Sequence, residues 1–259
     1  MRLEPIAVPS TTRRIVPPAL AMLATFLVAA LLAMIAGGNP FAVFGLILTG
    51  AFGSKFAVLE TLNSATPLIF TGLAIAVAFR AKLWNIGAEA QLYAGAVLTV
   101  ILGTGALGLP AYLMLPICGL AAMLAGAALL LGPALLKTRL GVDEVVTTLL
   151  FNFIFLLFVS YLLEGPLKDP MGMGWPKSAR LLPEARLPRL VDGLRLHWGF
   201  ALALLAALVV WVINTRTTLG YEMRAVGQNA EAAGFAGIPV TSVILKTALL
   251  SGGLAGLAG

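Results

Sequence analysis

The amino-acid sequence predicts an all-α polytopic transmembrane helical bundle. Three observations carry this reading. First, the 259 residues are 60% hydrophobic and 11% charged, with a mean hydropathy of +0.99, whereas a soluble domain carries about 25% charged residues. Second, the apolar runs are continuous and approach the ~20 residues that cross a bilayer as helix. A membrane β-barrel is excluded, because its strands alternate in polarity over about ten residues. Third, basic residues collect between the runs, so the net charge of +6 reflects membrane orientation and not nucleic-acid binding.

The first run, 16–36, follows Arg13 and Arg14. It exceeds the roughly 7–15 apolar residues of a signal-peptide core, and no small-residue cleavage site follows, so it reads as a retained span. Segment 39–52, with Gly45 and Gly50, is short for a crossing and reads as interfacial or re-entrant. Further spans are expected at 59–79, 83–102, 110–136, 145–163 and 198–214. Pro67 is expected to kink the second and Pro116 to interrupt the fourth. A seventh run begins near Val240 and is still running at Gly259. The expectation is about six complete spans plus a truncated seventh. The ending LLSGGLAGLAG has no polar flank, and a helix stopping there would leave carbonyls in lipid. The sequence therefore predicts one domain over 1–259 that is C-terminally incomplete by two or three spans. Gly252 and Gly256 form a GxxxG pair suited to close helix packing.

Lysine and arginine predict a cytoplasmic N-terminus. The inner side then holds Arg2, Arg13, Arg14, Arg80, Lys82, Lys137, Arg139, Arg216, Arg224 and Lys246. The outer side holds Lys55 and the 164–197 loop, which is mixed in sign, with Glu164, Asp169, Glu184 and Asp192. Prolines 166, 170, 176, 183 and 188 argue against a regular helix in that loop. It is expected outside the membrane, either as a surface for a substrate-delivering protein or as a passive connector.

The chemistry is sparse. A P-loop needs Gly immediately before its Lys. None of Lys55, Lys82, Lys137, Lys168, Lys177 and Lys246 follows a Gly. Any ATP hydrolysis must come from another chain, and no cofactor, metal or catalytic residue is expected. Cys118 stands alone in an apolar run, and His197 beside Trp198 reads as an interfacial residue.

Two polar clusters interrupt the apolar pattern. In Leu83–Gln91, Asn85 and Glu89 are four apart and share a helix face. An acid within a span is a functional hypothesis by default, and Gly87 is placed to break the helix so that backbone faces a cavity. The alternative is an interfacial Glu89 paired with Arg80 or Lys82. In the second cluster, Asp143 and Glu144 sit at the start of the 145–163 span, where carboxylates suit a helix N-terminus, and Asp143 is expected to cap it. Thr148 and Asn152 then either line a polar path or bond a neighbouring helix. Asn63, before Pro67, is expected to face the same cavity. The candidate substrate pathway is thus Asn63, Asn85, Glu89, Gln91, Thr148 and Asn152.

A third polar segment, 216–240, lies between two apolar runs. Its small residues are expected to let another protein approach the backbone, so it reads as a docking helix for a cytoplasmic partner.

Residues 62–96 (LNSATPLIFTGLAIAVAFRAKLWNIGAEAQLYAGA), 141–153 (GVDEVVTTLLFNF) and 218–240 (TLGYEMRAVGQNAEAAGFAGIPV) carry a resemblance. Together they resemble the permease subunits of bacterial ABC importers for nucleosides and simple sugars, within the branched-chain amino acid and ribose permease group. The resemblance covers nearly the whole chain. It implies that Gly220, Arg224, Ala225, Gly227, Asn229, Ala232, Ala233 and Gly237 lie at or near a contact with an ATPase subunit. It also implies a second permease subunit, identical or paralogous, a periplasmic or lipid-anchored binding protein, and a place in the bacterial plasma (inner) membrane. Ala90 departs from the subgroup, which has Gly there. The expected function is ATP-driven import of a nucleoside or purine-type solute by a non-enzymatic permease subunit. A ribose-like sugar is the alternative substrate. An ion-gradient-driven secondary transporter is a further alternative, disfavoured because Glu89 lies near a span end and no repeated half is visible.

Overall fold

The computed structural model describes residues 11–191 and 193–259. Arg2 and Asp192 lie outside them, as do the side chains of Arg13 and Arg14. The fold is all-α. Its helices are α1 Thr11–Ile35, α2 Pro40–Phe52, α3 Lys55–Arg80, α4 Ala88–Ile101, α5 Ala111–Leu140, α6 Glu144–Glu164, α7 Gly199–Arg216, α8 Thr218–Gln228, α9 Ala230–Phe235 and α10 Val240–Ala258. Among the described residues, six helices (α1, α3, α5, α6, α7 and α10) are long and apolar enough to span a membrane. Extended pairing among those residues is confined to two isolated bridges, Lys168 with Ser178 and Arg189 with His197.

The chain divides into two compact units, Met1–Thr61 and Leu62–Gly259. In the first, Asn39 caps α2 by accepting from Phe41 N–H at 3.0 Å. Phe26 and Phe44 meet edge-on at 5.6 Å between ring centres. The Thr61 hydroxyl donates to the Ala51 carbonyl at 3.0 Å. Segment 39–52 is thus a helix of 13 residues, about 20 Å long at 1.5 Å per residue and shorter than a hydrocarbon core.

The second unit buries one face of each of several helices. On α3 that face is Phe70, Ala74, Val77 and Ala78, spaced as a helical stripe. It packs with Ala203 and Val210 of α7, Met223 and Val226 of α8, and Val243, Ala248 and Ala255 of α10. The tightest approach is between backbones. A Cβ on Gly126 of α5 would overlap the Gly252 carbonyl of α10 and lie 2.7 Å from Gly256 Cα. A Cβ on Gly256 would overlap the Ala122 carbonyl, and one on Gly95 of α4 would overlap the Gly256 carbonyl. The expected GxxxG pair therefore joins α10 to α5 within this chain. Lipid is as apolar as a leucine side chain, so such association rests on van der Waals contact, which small residues maximise.

Two expectations are corrected. The third apolar run does not become helical at Leu83. Residues 81–87 form an irregular stretch and α4 begins at Ala88, continuing as a π turn, Leu102–Ala106. Pro116 does not interrupt its helix, since α5 runs unbroken through Pro116 and Pro133. Pro116 sits in the second turn, where it forfeits only the bond its N–H would have made to the residue-112 carbonyl.

Gly126→Val is expected to destabilise the unit by about 1–3 kcal/mol, because no rotamer relieves a clash with backbone. Gly72→Ala is the control, since nothing lies within 4 Å of its Cβ and the change favours helix. Thermal unfolding of the detergent-purified protein checks both: a lowered midpoint for Gly126→Val and none for Gly72→Ala.

Candidate functional site

α3 closes in a Schellman motif. Leu83 N–H donates to the Ala78 carbonyl and Lys82 N–H to the Phe79 carbonyl, both at 3.1 Å. Lys82 takes the left-handed conformation, φ +50°, where Gly is usual. Leu83 and Ala78 are both fully buried, the apolar contact that accompanies the motif. The chain then runs irregularly to Gly87, and its main-chain N–H groups need partners outside a helix.

α6 supplies them. Its buried residues are Glu144, Thr148 and Asn152, four apart and so on one face. Trp84 N–H donates to Glu144 Oε1 at 3.3 Å. Ile86 N–H donates to Thr148 Oγ1 at 3.2 Å. Ala90 N–H donates to Asn152 Oδ1 at 2.7 Å. A polar face thus turns inward on a helix whose exposed positions include Leu149, Leu150, Phe153, Ile154 and Leu157. The fit is close, since a Cβ on Gly87 would stand 2.7 Å from the Thr148 carbonyl oxygen.

Asn85 completes the arrangement from within. Its Nδ2 donates to Gln91 Oε1 (2.9 Å) and Ser251 Oγ (3.1 Å). Its Oδ1 accepts from Gln91 Nε2 (2.8 Å) and Gly87 N–H (3.2 Å). An amide offers two donors and two lone pairs, so Asn85 is saturated. Ser251 in turn donates to the Ala74 carbonyl at 2.8 Å, tying α10 to α3. Lys137 Nζ pairs with Glu144 Oε1 and donates to the Lys82 carbonyl at 3.1 Å.

Of the six candidate pathway residues, the structure gathers five. Asn85, Gln91, Thr148 and Asn152 are buried together, and Glu89 lies exposed at the edge of the group. Glu89 Oε2 accepts from Asn152 Nδ2 at 3.2 Å. Its pairing with Arg80 or Lys82 does not occur, because Arg80 Nη1 instead donates to the Asn214 carbonyl at 3.4 Å and Lys82 lies in the Schellman turn. Asn63 stands apart on α3, half-buried, with a buried Oδ1 that has no partner. Asp143 caps α6 through Val145 N–H at 2.8 Å. Sequence reasoning placed Glu144 only at a helix start and missed Ser251 and Lys137. The spacing of 144, 148 and 152 in an otherwise apolar run was the available signal.

The 216–240 segment is two helices, divided at Asn229, which caps α9 through Ala232 N–H at 3.0 Å. On α8, Gly220, Met223, Val226 and Gly227 are buried, while Tyr221, Arg224 and Gln228 are exposed. Ala225 is half-buried, Ala233 is buried, and Asn229, Ala232 and Gly237 are exposed. At Gly220 and Gly227 the backbone admitted by the missing side chain is this chain's own. Gly220 lies against Ile213 and Asn214 of α7, and Gly227 against the Arg80 carbonyl of α3. Phe235 of α9 is 96% exposed, and its neighbour Gly234 lines an open, largely apolar groove of about 660 Å³ with Ile238, Val240, Leu245 and Leu249.

A guanosine ABC transporter permease of Bacillus subtilis, NupP, is 37% identical over 93% of this chain and 70% of its own length. A nucleoside ABC transporter permease of Lactococcus lactis, NupB, is 31% identical over 96% of this chain and 70% of its own. A glucose ABC transporter permease of Haloferax volcanii, TsgB13, is 36% identical over 93% of this chain and 66% of its own. No solved structure matches. Residues 57–259 match the family described as the permease component of branched-chain amino acid transport systems, and the chain belongs to that family as a multi-pass permease of the plasma membrane.

Proposed function

We propose that this chain is the membrane-spanning subunit of an ATP-driven importer for a nucleoside or purine-type solute. The observation that carries the substrate class is the likeness to NupP and NupB across more than nine-tenths of the chain. A simple sugar is the second reading, favoured by the similar identity to TsgB13. ATP hydrolysis belongs to a separate ATPase subunit. Two permease subunits, identical or paralogous, enclose the path, and a periplasmic or lipid-anchored binding protein delivers the solute. The N-terminus and segment 216–240 lie in the cytoplasm, and loop 164–197 lies outside.

The outward side of α8 and α9 is the docking surface, with Arg224, Asn229, Ala232 and Gly237 available to the ATPase. Gly220, Ala225, Gly227 and Ala233 support it from beneath by setting the pose of α8 and α9 on the chain. Closure of the ATPase pair then moves 220–237 and rocks the spans between two states.

Within the pathway, spare hydrogen-bonding capacity separates the roles. Asn85 has none, and Gln91, Thr148 and Asn152 are committed to the irregular stretch. Glu89 has an exposed carboxylate with free lone pairs. Asn63 has an unpartnered Oδ1, and the helix bond its carbonyl would accept from residue 67 is absent because Pro67 has no N–H. Both offer acceptors to the hydroxyl and N–H groups of a nucleoside.

Three outcomes are expected. In vesicles carrying the permease with its ATPase and binding protein, ATP drives uptake of labelled guanosine in preference to glucose. The reverse preference selects the sugar reading, and uptake of neither removes the importer reading. Glu89→Gln lowers guanosine uptake about tenfold and leaves thermal stability unchanged, whereas Asn85→Asp lowers stability by about 2–4 kcal/mol, since two donors vanish from a buried site. Equal stability in the two variants contradicts this division of roles. Arg224→Glu abolishes co-purification of the ATPase while the permease keeps its unfolding midpoint, and retained co-purification removes Arg224 from the interface.

A further inference from the structure

We propose that Lys137 and Glu144 are positioning residues for transport, which carry movement of α8 to α4 by clasping the main chain of the 81–87 turn. The inference rests on the importer reading above and adds to it the route by which the docking helix reaches the pathway.

The route is continuous in space. Gly227 of α8 has no room for a side chain because the Arg80 carbonyl fills it, and Ala81 Cα would be 3.4 Å away. Arg80 also reaches the end of α7 by donating to the Asn214 carbonyl. A displacement of α8 therefore bears on the last turn of α3 by direct backbone contact. The turn that follows is closed by the Schellman bonds, so it has little freedom to absorb that displacement.

Lys137 and Glu144 flank the short link between α5 and α6 and grip the turn at two points. Lys137 donates to the Lys82 carbonyl at 3.1 Å. Glu144, buried, accepts from Trp84 N–H at 3.3 Å and pairs with Lys137. Farther along, Thr148 and Asn152 hold Ile86 and Ala90, which carries the attachment into the first turn of α4. Packed elements joined in this way shift as a body and do not bend gradually. Had Lys137 and Glu144 served only as an ion pair, neither would need a main-chain partner on α3 or the turn.

The bonding is directional, and that makes the proposal testable. Lysine only donates, and an ionised carboxylate only accepts. Interchanging the two residues, Lys137→Glu with Glu144→Lys, keeps an ion pair but presents an acceptor to the Lys82 carbonyl and a donor to Trp84 N–H. The experiment uses the complete transporter in lipid vesicles, with labelled guanosine as probe, and reads uptake per ATP hydrolysed. The interchange and Lys137→Met are each expected to keep ATP hydrolysis within about twofold of wild type and to lose about tenfold in uptake per ATP, as for residues along a coupling network. Lys137→Arg, which keeps both donors, is expected to retain uptake. Wild-type coupling in the interchange or in Lys137→Met overturns the proposal. A second readout needs no destabilising change. Spin labels at exposed Gln228 on α8 and exposed Ile101 on α4 are expected both to respond to ATP binding, and a response confined to Gln228 overturns it. A wild type without ATP-driven uptake overturns the importer reading and this inference with it, a failure visible before any variant is compared.

Discussion

Much of this structure depends on one constraint: main-chain N–H groups in a stretch of broken helix must find partners where packing buries them. Burial withholds water from them, and each donor left unsatisfied costs about 1–3 kcal/mol. A hydrogen bond that is made contributes less, about 0.5–1.5 kcal/mol net. The penalty avoided therefore outweighs the bond gained. α6 meets the constraint by inverting the usual pattern of a soluble helix. Its polar residues, Glu144, Thr148 and Asn152, are buried, and its apolar residues face outward. The three acceptors stand at successive turns and meet Trp84, Ile86 and Ala90 in order.

The glycine-rich packing follows from the same requirement. Asn85 reaches Ser251, and Ser251 reaches the Ala74 carbonyl, only if α10 lies close to both the break and α3. Gly252 and Gly256 hold α10 against α5, and Gly95 holds α4 against α10. A bulky residue at any of these positions would separate helices whose polar bonds tolerate a few tenths of an ångström. Small residues and polar residues are thus two parts of one arrangement.

The long spans were legible because length and apolarity alone determine them, and α5, α6, α7 and α10 lie within a few residues of the expected limits. The break at 81–87 was half legible. Gly87 suggested it, but the start of α4 was missed because Leu83, Trp84 and Ile86 read as ordinary span residues, and the left-handed turn falls on Lys82 where no glycine announces it. The partners of the break were less visible still. Ser251 sits 166 residues from Asn85, and no local pattern in a sequence reveals so distant a bond. On α8, composition exposed the glycines but not their neighbours. Gly220 and Gly227 face this chain's own α7 and α3, because an amphipathic helix between two spans must first bury its own apolar face.

The same accounting bears on how such a protein handles a solute. Polar side chains are scarce in this chain, and the break consumes most of those near it. Asn85 has no donor or lone pair to offer, and Thr148 spends its hydroxyl proton on the Glu144 carbonyl at 2.7 Å. On the proposed reading, a solute passing this point meets the acceptors of Glu89 and Asn63 and otherwise apolar or main-chain surface. Few fixed partners mean weak binding, because each unmet polar group of the solute loses water without replacement. Weak binding suits a passage that must release what it admits. On the same proposed reading, discrimination between a nucleoside and a sugar falls to the protein that delivers the solute, and the permease contributes the path and the stiffness that lets a motor move it.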